Sequence, residues 1–274
     1  MTTNSRESSR QISANITARD RITSRYERIH GEIYNEKEQA RLRGALVSAL
    51  SYVCTTGHRK KVLDFGCGAG NLTAHLTSLR CEVVACDVSQ ACLDLLASRQ
   101  YPSKIDAVRL NGVDLSNIDD VSVDMVATYS VLHHVPDYLG IIKEFMRVLK
   151  PGGVVFIDHE AAAEFWTCSA GRTALLAEVR AKTKRRWTRF VKPENYINWF
   201  MLRFINPRYR PEGDIHVFED DHIEWQKIAE VLTMEGANVV CEQDYLVFRQ
   251  EYDEELYESH KERTSDMHLL IAVK

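Results

Sequence analysis

Two regimes of hydrophobic patterning divide the chain. From about Lys61 to Ile157, short apolar runs alternate with stretches whose apolar residues recur every three or four positions. That is the signature of strands separated by helices, and so of right-handed βαβ units in a parallel sheet. The runs Lys61 to Phe65, Cys81 to Cys86, Ile105 to Leu110, Val123 to Ser130 and Val154 to Ile157 predict five strands. Helices are predicted over Asn71 to Leu79, over Ser89 to Arg99 with Ser89 as cap, and over Asp137 to Lys150, the last ended by Pro151-Gly152-Gly153. Ahead of the first strand, Tyr26, Ile29, Ile33, Leu42, Leu46 and Leu50 keep helical spacing. They predict one helix or two that cover the sheet, meet a partner subunit or form a lid with Tyr26, His30 and Tyr34. Beyond Glu160 the alternation breaks. Residues 161–219 read as helix-prone and rich in aromatics, Asp220 and Asp221 as caps on a helix through Met234, and Val239 to Phe248 and Met267 to Val273 as two last strands around an acidic loop.

The junction of the first strand and helix carries the clearest chemistry. Val62-Leu63-Asp64-Phe65-Gly66-Cys67-Gly68-Ala69-Gly70-Asn71 places three glycines at alternate positions between an apolar strand and a helix. Glycines there supply positive φ and let a ligand approach the backbone, while the helix N-terminus points free N–H groups at it. A dinucleotide fingerprint needs Gly-x-Gly-x-x-Gly, whereas the spacing here is Gly-x-Gly-x-Gly. Asp64, two residues before Gly66, would repel a pyrophosphate but suits an ammonium group. Asp87, at the end of the second strand, fits a carboxylate that accepts hydrogen bonds from ribose hydroxyls. Ribose together with a cation points to S-adenosylmethionine.

With these residues in place, the chain resembles the class I, Rossmann-like S-adenosylmethionine-dependent methyltransferases, strongly over Lys61 to Glu160 and by architecture elsewhere. Val62 to Gly70 matches the first motif of that family and Asp87 its ribose-binding acid. Asp114-Leu115 matches the adenine loop, Ser130 to Asp137 the motif after strand four, and Leu149 to Gly153 the turn before strand five. The resemblance implies an α/β fold with a Rossmann-like seven-stranded, mostly parallel sheet, helices on both faces, an N-terminal helical extension and a helical cap inserted between strands five and six. The expected division is a mobile tail over 1–20, N-terminal helices and cofactor half over 21–160, a substrate cap over 161–219 and the rest of the Rossmann-like domain over 220–274. It also implies cofactor contacts from Asp64, Gly66, Cys67, Gly68, Gly70, Asp87, Val88, Asp114, Leu115 and Ser130.

Methyl transfer from a sulfonium is an in-line displacement that depends on approach geometry and exclusion of water, and needs a base only when the acceptor arrives protonated. His133 and His134 after strand four, and His159 and Glu160 after strand five, reach the edge where the acceptor must lie. They are the candidate catalytic groups, with His133 and His134 alternatively shaping the cofactor floor. Tyr26, Tyr34, His134, Trp166, Tyr196, Trp199, Phe200 and Phe204 are the candidate substrate contacts. Their aromatic density favours an apolar or aromatic acceptor, methylated on oxygen or carbon.

Charge and composition then limit the partners. The net charge is −4, yet Arg180 to Arg210 holds ten Lys or Arg against one acid, Glu194. A solvated face, an anionic acceptor and a nucleic-acid groove all fit that run. The expected function is a small-molecule methyltransferase of secondary metabolism, with a nucleic-acid methyltransferase, a lipid or quinone methyltransferase, and a non-catalytic cofactor-binding protein as alternatives. Seven cysteines show no Cys-x-x-Cys pair, so no zinc site is expected. Asp214, His216, Asp220, Asp221 and His222 lie outside the positions where metal-dependent relatives keep their acids, so no metal is expected from them either. The serine- and threonine-rich start has no apolar segment of a targeting signal, and no membrane span is visible. A cytoplasmic protein, self-associating through the N-terminal helix, is expected.

Overall fold

The computed structural model describes residues 5–22, 30–54, 59–167, 169–182, 196, 199–205, 214–250 and 252–274. Helix α1 (Ser5–Ile22) and helix α2 (Glu36–Ser51) precede the sheet. The alternating core follows as β1 (Lys61–Phe65), α3 (Asn71–Ser78), β2 (Glu82–Asp87), α4 (Gln90–Ala97), β3 (Ile105–Arg109), β4 (Val123–Tyr129), α5 (Tyr138–Val148) and β5 (Leu149–Ala161). Helix α6 (Ala170–Lys182), a small hairpin of β6 (Val217–Phe218) and β7 (Asp221–His222), α7 (Trp225–Met234), β8 (Asn238–Tyr245), α8 (Glu254–His260) and β9 (Met267–Val273) complete the described chain.

The main sheet has seven strands in the order β3-β2-β1-β4-β5-β9-β8. Its first five strands are parallel, and β9 runs antiparallel to both neighbours. The apolar runs are nearly continuous because both faces are covered. Leu63, Phe65, Val84, Cys86, Val126, Val155 and Ile157 face α5 and α7. Val62, Val83, Ala85, Met125, Ala127 and Phe156 face α2, α3 and α4. Helix α2 is therefore a cover for the sheet. Asn35 caps it by accepting the Glu38 N–H at 2.9 Å, and Leu42 and Leu46, both fully buried, contribute about 2 kcal/mol each by leaving water.

Three segments depart from the sequence reading. Residues 5–20, expected within a mobile tail, form with residues 21 and 22 the helix α1, which lies on the sheet's carboxyl edge. Their anchors are mostly polar: Asn15 Nδ2 donates to the His134 carbonyl at 2.7 Å and the Ser89 hydroxyl donates to Asp20 at 2.5 Å. Asp220 and Asp221 do not cap α7, whose first turn is preceded by Glu224 with no side-chain cap. The β6–β7 hairpin carries them away, and Asp221 instead meets His216 at 3.2 Å. The acidic stretch before β9 is not wholly loop, because the Asp253 carboxylate accepts the Leu256 N–H at 2.8 Å and starts α8. No helix among the described residues is long and apolar enough to cross a membrane.

Candidate active site

The glycine turn forms one wall of a cleft at the carboxyl edge of β1, β2 and β4. Gly66, Gly68 and Gly70 have φ of 73°, 49° and 88°, in the region that glycine enters without strain. At Gly66 the need is also steric, since an added Cβ would sit 2.5 Å from a Val131 methyl. Gly66 and Cys67 donate their N–H groups to the Cys86 carbonyl, which ties the turn to β2. Gly68 N–H donates to one oxygen of Asp87 at 2.9 Å, and Ser89 N–H to the other at 2.8 Å.

Two buried carboxyls therefore face one cleft. Burial pushes Asp64 up to about 7 against the hydrogen bond from the Thr73 hydroxyl at 2.5 Å, and the nearby Asp87 adds to the rise. Burial also raises Asp87, opposed by its backbone N–H donors and by Arg19. Burial and these two acids keep the Cys67 thiol neutral. A cationic ligand would relieve this excess of buried negative charge. Thr73, one turn into α3, orients Asp64, a role that only the fold discloses.

Asp64, Gly66, Cys67, Gly68, Asp87, Val88, Asp114 and Ser130 line the cleft together, and Gly70 closes the turn as the left-handed residue before α3. Asp114 is drawn below the usual carboxylate range by hydrogen bonds from the Ser116 and Asn111 side. Leu115 departs from the expectation. Its side chain is fully buried in the core beneath the loop, while Gly112 and Ile12 of α1 meet at the cleft wall.

A second cavity adjoins this cleft, and both are lined by Arg19, Ile33, Ser130 and His134. It gathers the four candidate catalytic residues. Glu160, 1 % exposed, accepts the N–H groups of Val131 and Leu132 at 2.7 and 2.6 Å on one oxygen, and its other oxygen lies 2.7 Å from Nδ1 of His133. Burial opposes the imidazolium of His133, but the charge and hydrogen bond of Glu160, with Asp214 behind them, outweigh it and raise its pKa. His134 lies between Arg19, whose Nη2 is 2.5 Å from its Nε2, and Asp214, whose Oδ1 is 3.3 Å from its Nδ1. His159 is different in kind. It is 5 % exposed, stacked on Tyr129 at 4.6 Å and held at φ 61°. Burial and the positive charges of Arg41, Arg249 and His133 keep it neutral.

The remaining substrate candidates separate. Trp166, beside Phe165, lines the second cavity, whereas Tyr34 lines the first. Tyr26 lies outside the described residues. Tyr196, Trp199, Phe200 and Phe204 line neither cavity and are between 50 and 63 % exposed. Phe204 packs against Trp199 and Phe200 in and beside the short turn Met201–Ile205, so these rings cover one another. The cavity instead uses groups that periodicity did not single out: Arg19, Glu32 and Arg249, the last held by Asp266 at 2.9 Å. Asp214 and His216 belong to it too, because Ile215 N–H and His216 N–H donate to the His133 carbonyl.

Comparison with known proteins agrees with this geometry. Residues 63–157 match the family described as a methyltransferase domain. The chain is 30 % identical over 143 residues to a ubiquinone biosynthesis O-methyltransferase of Xanthomonas campestris pv. campestris, covering 51 % of this chain and 59 % of that protein. The protein of the same name from Hahella chejuensis is 29 % identical over 144 residues, covering 51 % and 60 %. The chain thus spans about three fifths of the length of these relatives. In fold it is similar to an S-adenosylmethionine-dependent methyltransferase from Mesorhizobium loti, with a TM-score of 0.56 and 17 % identity over 85 % of this chain and 100 % of that one. A methyltransferase of the same cofactor from Archaeoglobus fulgidus gives a TM-score of 0.51 at 12 % identity over 86 % and 94 %. Residues 63–157 therefore carry a methyltransferase domain, and the strand order and glycine turn give it the Rossmann-like fold of the S-adenosylmethionine-dependent methyltransferases.

Proposed function

We propose that the protein methylates a hydroxyl oxygen of a small aromatic acceptor held in the second cavity, with S-adenosylmethionine in the first. The residues of the first cavity suit that cofactor: Asp64 for its ammonium group, the glycine turn for close backbone approach, Asp87 for the ribose hydroxyls, and Asp114 for the adenine. When bound, S-adenosylmethionine supplies an electrophilic methyl on a sulfonium whose departure leaves a neutral thioether.

The protein's own part is orientation, desolvation and proton uptake. The Glu160 carboxylate accepts a hydrogen bond from the Nδ1–H of His133, which leaves the Nε2 lone pair to accept the proton of the acceptor hydroxyl. Phe165 and Trp166 offer an aromatic wall, and Ile33, Ile223 and Met267 an apolar one, against which a ring can lie. Neutral His159 offers a hydrogen bond to a second polar substituent. The His133–Glu160 pair beside the cofactor cleft, its carboxylate buried, carries this reading, because a hydroxyl must shed its proton as its oxygen takes the methyl. The name of the relatives, which are O-methyltransferases of ubiquinone biosynthesis, supports the same choice. Polyhydroxylated rings such as quinone precursors and phenolic metabolites share this chemistry.

Incubation with S-adenosylmethionine and a panel of catechols, quinols and simple phenols tests the proposal, with the product examined by NMR. A methoxy signal is expected. A product methylated on ring carbon, or transfer to amines alone, would overturn it.

A further inference from the structure

In the second cavity His133, the proton acceptor of the proposed transfer, belongs to a wider cluster whose other members, His134 and Asp214, that transfer does not itself require. Nε2 of His133 lies 3.7 Å from Oδ1 of Asp214, Nδ1 of His134 lies 3.3 Å from the same oxygen, and the two imidazoles are 4.1 Å apart between centroids. All three potential ligand atoms fall within 4.8 Å of one another. A tetrahedral ion with bonds of about 2.0 to 2.1 Å spaces its ligand atoms about 3.3 to 3.4 Å apart, so only a few tenths of an ångström of closure are needed for the two pairs that involve Asp214.

The surroundings have the form of a built site. Glu160 holds Nδ1 of His133 at 2.7 Å, which turns Nε2 toward the cluster and raises its basicity as a ligand. Asp214 is fixed through the backbone bonds that join residues 215 and 216 to the His133 carbonyl. His216 is not a ligand, because its two ring nitrogens are engaged by the Val135 carbonyl at 2.9 Å and Asp221 at 3.2 Å. Two imidazoles and one carboxylate are a donor set for Zn2+ and its transition-metal neighbours rather than for Mg2+ or Ca2+.

We propose that His133, His134 and Asp214 form a binding site for one divalent transition-metal ion of the Zn2+ class, and that occupancy blocks methyl transfer. The ion takes the Nε2 lone pair of His133, so that nitrogen no longer accepts the acceptor's proton. This consequence rests on the O-methylation reading; the binding site itself does not. Arg19 competes with the ion. Its guanidinium donates to Nε2 of His134, which places that imidazole's proton on Nδ1. Binding moves the proton to Nε2 and turns Arg19 aside, with no net proton released from His134.

Titration of the metal-free full-length protein with Co2+ tests the site without any assay of activity. Visible d–d absorption saturating at one equivalent, displaced by Zn2+, is expected. Asp214→Asn and His134→Ala should abolish it, Glu160→Gln should weaken it by about tenfold, and Arg19→Gln should tighten it. Circular dichroism of each variant separates loss of the site from loss of the fold. No absorption, absorption unchanged in Asp214→Asn, or an intense thiolate-to-metal band that places the ion on a cysteine would overturn the proposal. Zn2+ should also inhibit methyl transfer, reversibly with a chelator. If binding stands and inhibition fails, the role given to His133 in transfer is wrong; if inhibition occurs in Asp214→Asn as well, the blocking site lies elsewhere.

Discussion

One oxygen of Glu160 lies 2.7 Å from Nδ1 of His133, while the other accepts the backbone N–H groups of Val131 and Leu132, so one buried carboxylate holds both the imidazole and the turn that carries it. This relationship determines the pH dependence of the proposed reaction. The pKa of His133 is raised in the folded protein. Below it the imidazole carries a proton and accepts none, and above it Nε2 is available. Turnover should therefore rise with pH along a limb centred above the ordinary imidazole value of about 6.5. Glu160→Gln removes the charge that favours the imidazolium and should move the limb to lower pH. A limb unmoved in the variant would contradict the pairing.

Asp87 receives two backbone donors and still lines the cofactor cleft. Replacing it by Ala should weaken S-adenosylmethionine binding by about 1.5 to 3 kcal/mol, the cost of losing charged hydrogen bonds to the ligand. Calorimetric titration measures this directly, and unchanged affinity would remove Asp87 from the ribose site.

Helix α1 closes both cavities. Ile12 and Asn15 line the first, and Arg19 lines both. Few apolar contacts hold it down, so removal of residues 1–22 should cost little stability while it opens the cleft to solvent. The expected result is a lowered turnover and weaker cofactor binding with the unfolding midpoint nearly unchanged. Equal turnover in the truncated protein would show that α1 has no part in the reaction.

Stability should depend on a different cluster, on the α2 side of the sheet. Arg41 Nη2 bridges Glu38 at 2.5 Å and Asp158 at 2.8 Å, and its guanidinium lies 3.8 Å from the ring centre of Tyr245. Tyr129 donates its hydroxyl proton to Glu38, and Tyr245 donates to Asp158. Both acids are almost fully buried, so Arg41→Met leaves them without their cation. A loss of about 3 to 5 kcal/mol is expected in denaturant unfolding. A loss below about 1 kcal/mol would mean that the tyrosines alone satisfy the two carboxylates.

The legible and illegible parts of this chain differ in the kind of contact that makes them. The inner strands could be read because they are buried on both faces, so Lys61–Phe65 and Met267–Val273 keep their apolar character along their length. The glycine turn could be read because positive φ leaves few alternatives to glycine. Helix α1 could not, since it is anchored by Asn15, Arg19 and Asp20 rather than by an apolar stripe. The aromatic run from Tyr196 to Phe204 suggested a pocket because density of rings says nothing about the direction they face. Asp214 reaches His134 only through hydrogen bonds between residues some eighty positions apart, which leave no periodic trace.

The most direct test of the proposed chemistry is the rate of labelled methyl transfer from S-adenosylmethionine to a phenolic acceptor by the wild-type protein and by His133→Gln, with both substrates saturating. If His133 accepts the proton, kcat should fall by about 10²- to 10⁴-fold while cofactor affinity stays the same. Equal turnover by the two proteins would contradict it.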